Sequence, residues 1–440
     1  MEKIKKKEML EIIGTFMEVN EAISVGNDLD IEAAISLLAE CQESAISIGN
    51  NIEEHYECTE GVISVIEEYC EEIYSISVNL SKKKNIRDNT DKVKGILENI
   101  YHQIEKYISN DKKEIVFLPY KASMWDSLES VWKRMADAPE NDVYVVPIPY
   151  FDKNVDGSMG EMHYEGDEYP EYVPITPYDN YQISVRRPDE IYIHNPYDGY
   201  NKVTSVHPDF YSSELRKYTD MLVYIPYFVA VNDNVEKHFC TTPAVLYAHK
   251  VIVQSEKVRQ IYLDELHRYE EVLNCKGVLG KLEEKIVAGG SPKFDKVVNT
   301  KLSDFNIPKD WNRLIADKNG NKKKVVLYNT TIKPMISNPD KMIDKISRVF
   351  DVFKNRSDVV LLWRPHPLLK TTIKSMCKEY FERYELLEMK YISDGWGIYD
   401  DTADMYRAIT LSDAYYGDNS SLVELYKRTG KVIMLQNVNI

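Results

Sequence analysis

The segment Arg364-Pro365-His366-Pro367 sets a guanidinium and an imidazole between prolines, directly after the apolar run Val359–Trp363. Proline restricts the backbone, so both side chains are presented in a narrow range of directions. Arginine offers a planar fork of donors that matches phosphate oxygens. Histidine can donate to a leaving diphosphate or shuttle a proton. The same residues also read as a loop histidine and an arginine in a structural ion pair, and the residues alone leave both readings open. A second segment, Gly417-Asp418-Asn419-Ser420-Ser421, runs into a helical pattern. Backbone N–H groups and hydroxyls at a helix start can face an anion. Ser421 followed by Glu424 fits an ordinary capping box equally well. A third, Asn329-Thr330-Thr331, again puts polar groups after an apolar run, either for a ligand or for a turn with locally bonded hydroxyls.

In the first half of the chain, His194-Asn195-Pro196-Tyr197-Asp198 follows the run Glu190–Ile193. His194 or Asp198 at a strand tip could take the proton of an acceptor hydroxyl; the other reading is a turn fixed around Pro196. His207, before Pro208, is a weaker candidate, and His163 and His249 read as plain surface or helix residues. Lys121 and Trp125 follow another apolar run and could line a cleft, though Trp125 reads first as packing. Tyrosines including Tyr164, Tyr172 and Tyr200 could stack on a sugar or polyol, or pack with a wet tip.

These segments need elements to hold them. Residues 1 to about 110 carry helical periodicity: Met9, Ile12, Phe16, Val19 and Ile23 share one face, and after the break Gly26-Asn27-Asp28 come Ala34, Leu38 and Ala45. Val62, Ile66, Tyr69 and Ile73 form a third run. A fourth follows at Val93, Leu97, Ile100 and Ile104, with Asn89 and Thr90 as N-cap candidates and Ser81–Arg87 as a basic loop before it. The expected unit is a bundle of three or four helices.

From Lys113 the pattern alternates. Glu114–Leu118, Asp142–Val146, Glu190–Ile193, Met221–Ile225 and Val251–Val253 are short apolar runs suited to parallel strands buried on both faces, with helical spacing over Ser123–Met135 and Glu256–Leu266. Phe151–Pro177 reads as an acidic, Tyr-rich loop. After Gly289-Gly290 the pattern restarts. Lys324–Tyr328, Val359–Trp363, Ala414–Tyr416 and Val432–Leu435 are strands, and Pro339–Phe353, Met405–Leu411 and Ser421–Arg428 are helices. The expected organisation is a helical bundle (1–110) followed by two Rossmann-like α/β domains, 111–288 and 289–440. In open α/β sheets ligands bind beyond the C-terminal ends of the strands, which is where the polar segments fall.

Composition narrows the function classes. The 440 residues carry a formal net charge of -16 and are 43% hydrophobic. Such acidity speaks against nucleic acid as a partner. The N-terminal residues do not form a signal peptide's apolar core, and no run approaches the ~18–20 apolar residues of a membrane helix. The cysteines, Cys41, Cys58, Cys70, Cys240, Cys275 and Cys377, show no paired or finger spacing, so neither a zinc site nor a disulfide framework is expected.

The ordered series Gly290-Ser-Pro-Lys-Phe-Asp295, Leu327-Tyr-Asn-Thr-Thr331, Arg364-Pro-His-Pro367 and Gly417-Asp-Asn-Ser-Ser421 resembles the C-terminal half of the CDP-glycerol glycerophosphotransferase family, over about residues 288–436. The resemblance implies a GT-B architecture with the nucleotide donor on the C-terminal domain. It implies a CDP-alcohol donor, no required metal or cofactor, and transfer of a phospho-alcohol to a hydroxyl. On that basis His366, Ser420 and Ser421 would contact the donor diphosphate, with Thr330, Thr331, Arg364, Asp418 and Asn419 nearby and Glu424 reaching a ribose hydroxyl. Asn329-Thr330 replaces the family's Ala-Pro, and Gly417 and Asn419 replace its Thr and Tyr. The family's Trp-His-Gly strand end is here Tyr224-Ile-Pro-Tyr227, without the histidine. The expected protein is a cytoplasmic transferase in surface-polymer synthesis, with a polyol, sugar or lipid-linked acceptor. Peripheral contact at the inner membrane face and homo-oligomerisation through the bundle are further expectations. A nucleotide-sugar glycosyltransferase and a non-catalytic scaffold are the alternatives.

Overall fold

The computed structural model describes residues 4–25, 30–57, 59–82, 84–108, 111–316, 319–402 and 404–437. The expected break at Gly26–Asp28 and the thiol of Cys58 lie outside them. The chain divides into two compact units, Met1–Lys112 and Lys113–Ile440.

The first unit is four helices: α1 (Lys6–Val25), α2 (Ile31–His55), α3 (Glu60–Ser81) and α4 (Arg87–Tyr107). The residues that share a face in the sequence share one core, in which Ile100, Ile104 and Met9 are fully buried and Phe16 stacks on Tyr69 at 5.5 Å. Asp30 caps α2 by accepting from the N–H groups of Glu32 and Ala33. The expected cap of α4 is different: the helix starts at Arg87, so Asn89 and Thr90 lie inside its first turn. Thr90 is buried there, and its carbonyl accepts from the Asn20 amide. Among the described residues no helix is long and apolar enough to cross a membrane.

The second unit holds strands β1 (Lys113–Leu118), β2 (Asn141–Val145), β3 (Tyr150–Lys153), β4 (Met159–His163), β5 (Glu190–Ile193), β6 (Thr204–Val206), β7 (Met221–Tyr224), β8 (Lys250–Val253) and β9 (Ile286–Ala288). They are followed by β10 (Lys324–Thr330), β11 (Val359–Pro365), β12 (Ile398–Tyr399), β13 (Ala414–Gly417) and β14 (Val432–Leu435). One parallel sheet has the order β2-β1-β5-β7-β8-β9, and a second has the order β12-β11-β10-β13-β14. The fold is therefore α/β, a helical bundle followed by two Rossmann-like sheets. Alternate residues of each central strand enter different cores. Val325 and Leu327 face one side of the second sheet, Val326 and Tyr328 the other; Ile115 and Phe117 oppose Val116 and Leu118 in the first. Burial on both faces is why these strands read as unbroken apolar runs.

The helix expected over Ser123–Met135 is split: a 3-10 turn, Ala122–Ser127, precedes α5 (Glu129–Ala136). The acidic Tyr-rich segment contains an antiparallel sheet, β4-β3-β6. Helix Pro292–Asn299 belongs to both halves. Phe294 and Val297 pack with Tyr406 and Leu422 of the second half, while Lys293 and Lys296 reach Asp126 and Glu129 of the first. The two halves consequently lie in one compact unit.

Ile100 has no exposed surface. Ile100→Ala should lower the stability of the helical unit by about 2–5 kcal/mol and Ile100→Val by about 1 kcal/mol, measured by urea denaturation followed by far-ultraviolet circular dichroism.

Candidate functional site

In the second sheet the chain leaves β10 in one direction for β11 and returns on the other side as β13, so a crevice opens at the C-terminal ends of β10 and β13. Parallel register brings the three polar segments to this place. Thr330 lies opposite Pro365, and Asn329 opposite Gly417. The His366 N–H donates to the Thr330 carbonyl at 2.8 Å, and the Asp418 N–H to the Asn329 carbonyl at 3.0 Å.

Asn329 ties these tips together. Its amide nitrogen donates to the Arg364 carbonyl at 2.9 Å, and its side-chain oxygen accepts from Tyr415 and Ser420 at 3.2 and 3.3 Å. Asp418 closes the crevice from the other side. One carboxylate oxygen accepts from the Thr331 N–H at 2.6 Å and hydroxyl at 3.0 Å; the other accepts from Gln436 at 2.5 Å. Burial pushes the Asp418 carboxyl above its ordinary range, against the three donors that favour its charge. Gly417 permits this closeness. Its φ is +147°, and a Cβ there would stand 2.1 Å from the Asn329 carbonyl oxygen.

The expected donor residues fall into two groups. Thr330, Thr331, Arg364, Asp418, Ser420 and Glu424 have their polar atoms engaged within the protein. Thr330 accepts from the Trp363 indole at 3.1 Å. Arg364, 5% exposed, pairs with the fully buried Asp400 at 2.6 Å and donates to the Thr402 carbonyl at 2.6 Å, so of its two readings the structure shows the ion pair. Glu424 accepts from the Asn232 N–H at 2.9 Å and from Lys427 at 2.8 Å. The expected Ser421–Glu424 capping box does not form, because Ser420 is the N-cap and Glu424 is held by Asn232.

His366, Asn419 and Ser421 face outward. His366 is half-buried, Asn419 and Ser421 are exposed. The Leu368 N–H donates to His366 Nδ1 at 3.2 Å, which leaves the ring proton on Nε2. Burial and the Arg364 charge push the His366 pKa below its usual value, so near neutral pH the ring is an uncharged donor at Nε2.

The first sheet has its own crevice between β1 and β5, where the structure corrects the expectation for His194. The ring is fully buried, not exposed to a cleft. Its Nε2 accepts from the Tyr120 N–H at 3.2 Å, and its Nδ1 pairs with the Ser127 hydroxyl at 2.9 Å, which itself donates to the Met124 carbonyl at 2.7 Å. Burial, reinforced by the charge of Lys293, lowers its pKa to about 3. The ring stays neutral with both nitrogens engaged, and it holds the turn after β1 to the tip of β5. Asp198, 5% exposed with φ +50°, accepts from both the N–H (2.9 Å) and the hydroxyl (2.7 Å) of Ser212. It holds its turn to Ser212.

The remaining candidates are placed simply. Trp125, 2% exposed, packs against Trp132 and Tyr169. Lys121 lies over the Tyr150 ring at 4.7 Å. His163 pairs with Asp152, His207 accepts from the Asp209 N–H, and His249 accepts from the Leu222 N–H. Asp126, Tyr406, Asp400 and Gln436 were not singled out in the sequence. Asp126 takes Lys293 at 2.8 Å and the Tyr406 hydroxyl at 2.6 Å. Each is an isolated polar residue whose partner is distant in the chain, so spacing carries no signal for it.

Two measurements follow from this geometry. Gly417→Ala must displace the Asn329 backbone and should cost about 2–4 kcal/mol in thermal unfolding. Gly430→Ala, where φ is +69° but the space around is open, should cost only about 1 kcal/mol. Burial raises the Asp198 pKa from 3.8 to about 6. Between those values the folded chain holds a proton that the unfolded chain has released. Its contribution to stability is therefore complete below pH 3.8 and lost as pH rises through about 6. Asp198→Asn should flatten this part of the stability–pH curve, read by urea titration at stepped pH.

No family model matches the sequence, and neither does any curated protein. Solved structures do align with it. A UDP-N-acetylglucosamine 2-epimerase matches at 12% identity and a TM-score of 0.45, over 74% of this chain and 80% of that one. The UDP-GlcNAc 2-epimerase of Methanocaldococcus jannaschii, in complex with UDP-GlcNAc and UDP, matches at 9% identity and 0.42, over 73% and 83%. A variant of the wall teichoic acid polymerase TagF, soaked with CDPG, matches at 12% identity and 0.40, over 83% and 77%.

Proposed function

We propose that this chain is a transferase acting on a nucleotide-linked donor, and that the donor is a CDP-alcohol whose phospho-alcohol group passes to an acceptor hydroxyl. The observation that carries the reading is the convergence of Thr331, His366 and Gly417–Ser421 at the crevice of the second sheet. These are the residues on which the family resemblance rests.

In this reading the donor diphosphate lies across the β10 and β13 tips. The His366 Nε2–H, the Ser421 hydroxyl and the Asn419 amide meet its oxygens. Arg364 and Asp418 act one step back: Arg364 fixes the strand end that carries His366, and Asp418 fixes Thr331. The acceptor oxygen attacks the phosphorus bearing the alcohol, and the bridging P–O bond breaks. The nucleoside monophosphate leaves with the negative charge, which fixed donors stabilise as it grows. Neither nitrogen of His194 is available to take the acceptor's proton. Asp198, 5% exposed, is likewise held in its turn by Ser212, so the acceptor's proton passes to water as the new P–O bond forms. A nucleotide sugar would use the same donor groups and differ in the atom attacked.

The test is a thermal-shift titration with CDP, UDP, GDP and ADP on the wild type and on His366→Ala. A ligand that binds only the folded state adds about 2.7 kcal/mol at a hundredfold excess over Kd. Selective CDP binding lost in His366→Ala is the expected result. Selective UDP or GDP binding would replace the donor with a nucleotide sugar. Binding of none of the four would overturn the reading in favour of a non-catalytic scaffold.

A further inference from the structure

A cavity of about 710 Å³ opens between the turn after β1, α5, the segment Asp295–Phe305 and the start of helix Met405–Leu411. This is the size range of small-molecule sites. Its walls carry the rings of Trp125, Tyr172, Phe305 and Tyr406. Tyr172 is 53% exposed, an accessible aromatic face. Trp125 is almost wholly buried, and its indole N–H has no partner.

The charges of the lining define what fits. Asp126, Glu129, Asp295, Asp304 and Asp404 contribute five carboxylates against the two ammonium groups of Lys133 and Lys296. A phosphate-bearing ligand is repelled by that excess. A cationic ligand finds the deep carboxylates already taken: Glu129 by Lys133 and Lys296 at 2.7 and 2.6 Å and by the Tyr172 hydroxyl, and Asp126 by Lys293 and Tyr406. Asp295 accepts from Ser130 at 2.8 Å, and Asp404 caps the helix that starts at Met405. Carboxylates bonded in this way keep spare lone pairs. They can accept from hydroxyls, while the ammonium groups of Lys133 and Lys296 donate to them. A hydroxyl is both donor and acceptor, and the C–H face of a sugar or polyol packs on aromatic rings.

We infer that this cavity binds an uncharged polyhydroxy ligand, a sugar or polyol, and discriminates against phosphorylated ones. The assignment of that ligand as the acceptor rests on the donor reading above; the cavity's preference does not.

The test uses saturation-transfer NMR and calorimetry on the full chain with ribitol, N-acetylglucosamine, glycerol 3-phosphate and spermidine as probes. The variants are Tyr172→Ala, at an exposed position, and Ser130→Trp, which fills the cavity from a half-buried one. The expected result is binding of ribitol or N-acetylglucosamine but not of the charged probes. Each variant should weaken it at least tenfold, with circular dichroism and CDP binding unchanged. Stronger binding of glycerol 3-phosphate or spermidine, binding indifferent to both variants, or no binding of any probe would overturn the inference. Sugar binding lost in the variants of a chain that binds no nucleotide would leave the cavity standing and remove only its role as acceptor site.

Discussion

The second sheet depends on one buried carboxylate. Asp418 sits at the end of β13, where the chain must turn away from the sheet into a helix, and its oxygens take the Thr331 N–H, the Thr331 hydroxyl and the Gln436 amide. It thereby joins the tips of β10 and β13 to the segment after β14. A buried carboxylate without such donors would lose several kcal/mol to desolvation. With them it becomes a fixed point, and the positions of His366, Asn419 and Ser421 follow from it. Gly417 is the steric counterpart: any side chain there would push the Asn329 backbone away and loosen the tie.

The same economy runs through the rest of the candidate site. Most of the residues whose types suggested chemistry spend their polar atoms on the scaffold. Arg364 is consumed by Asp400 and Thr402, Glu424 by Asn232 and Lys427, and His194 by Tyr120 and Ser127. Buried polar groups need partners, and a strand tip at a sheet crevice buries several at once. His366, Asn419 and Ser421 are the outward set that these bonded residues carry.

The fold was legible where burial is two-sided. β1, β10 and β11 read as unbroken apolar runs because alternate residues enter opposite cores, and helix Pro339–Phe353 is bounded by its own proline and period. The sheet β4-β3-β6 was not legible, since its strands are short and mostly polar with little burial. Nor was helix Lys378–Asp394, whose buried stripe is Tyr384, Glu388 and Tyr391 in place of aliphatic residues. For the site, sequence indicated which residues stand at strand ends. It could not indicate which way they turn. Arg364 turns inward because of Asp400, 36 residues later, and Glu424 because of Asn232, 192 residues earlier. Local spacing holds no trace of such partners.

A short row of polar groups runs between the crevice of the second sheet and the neighbouring cavity. Tyr406 lines the cavity. Its neighbour Arg407 donates to Asp400 at 3.2 Å, and the other oxygen of Asp400 holds Arg364, two residues before His366. Asp400 has no exposed surface, and removing either arginine would take a charged donor from a buried carboxylate. The row ties the cavity wall at Tyr406 to the strand end that carries His366. The acidic lining of the cavity adds a second constraint. Its carboxylates repel anionic groups from that side of the row.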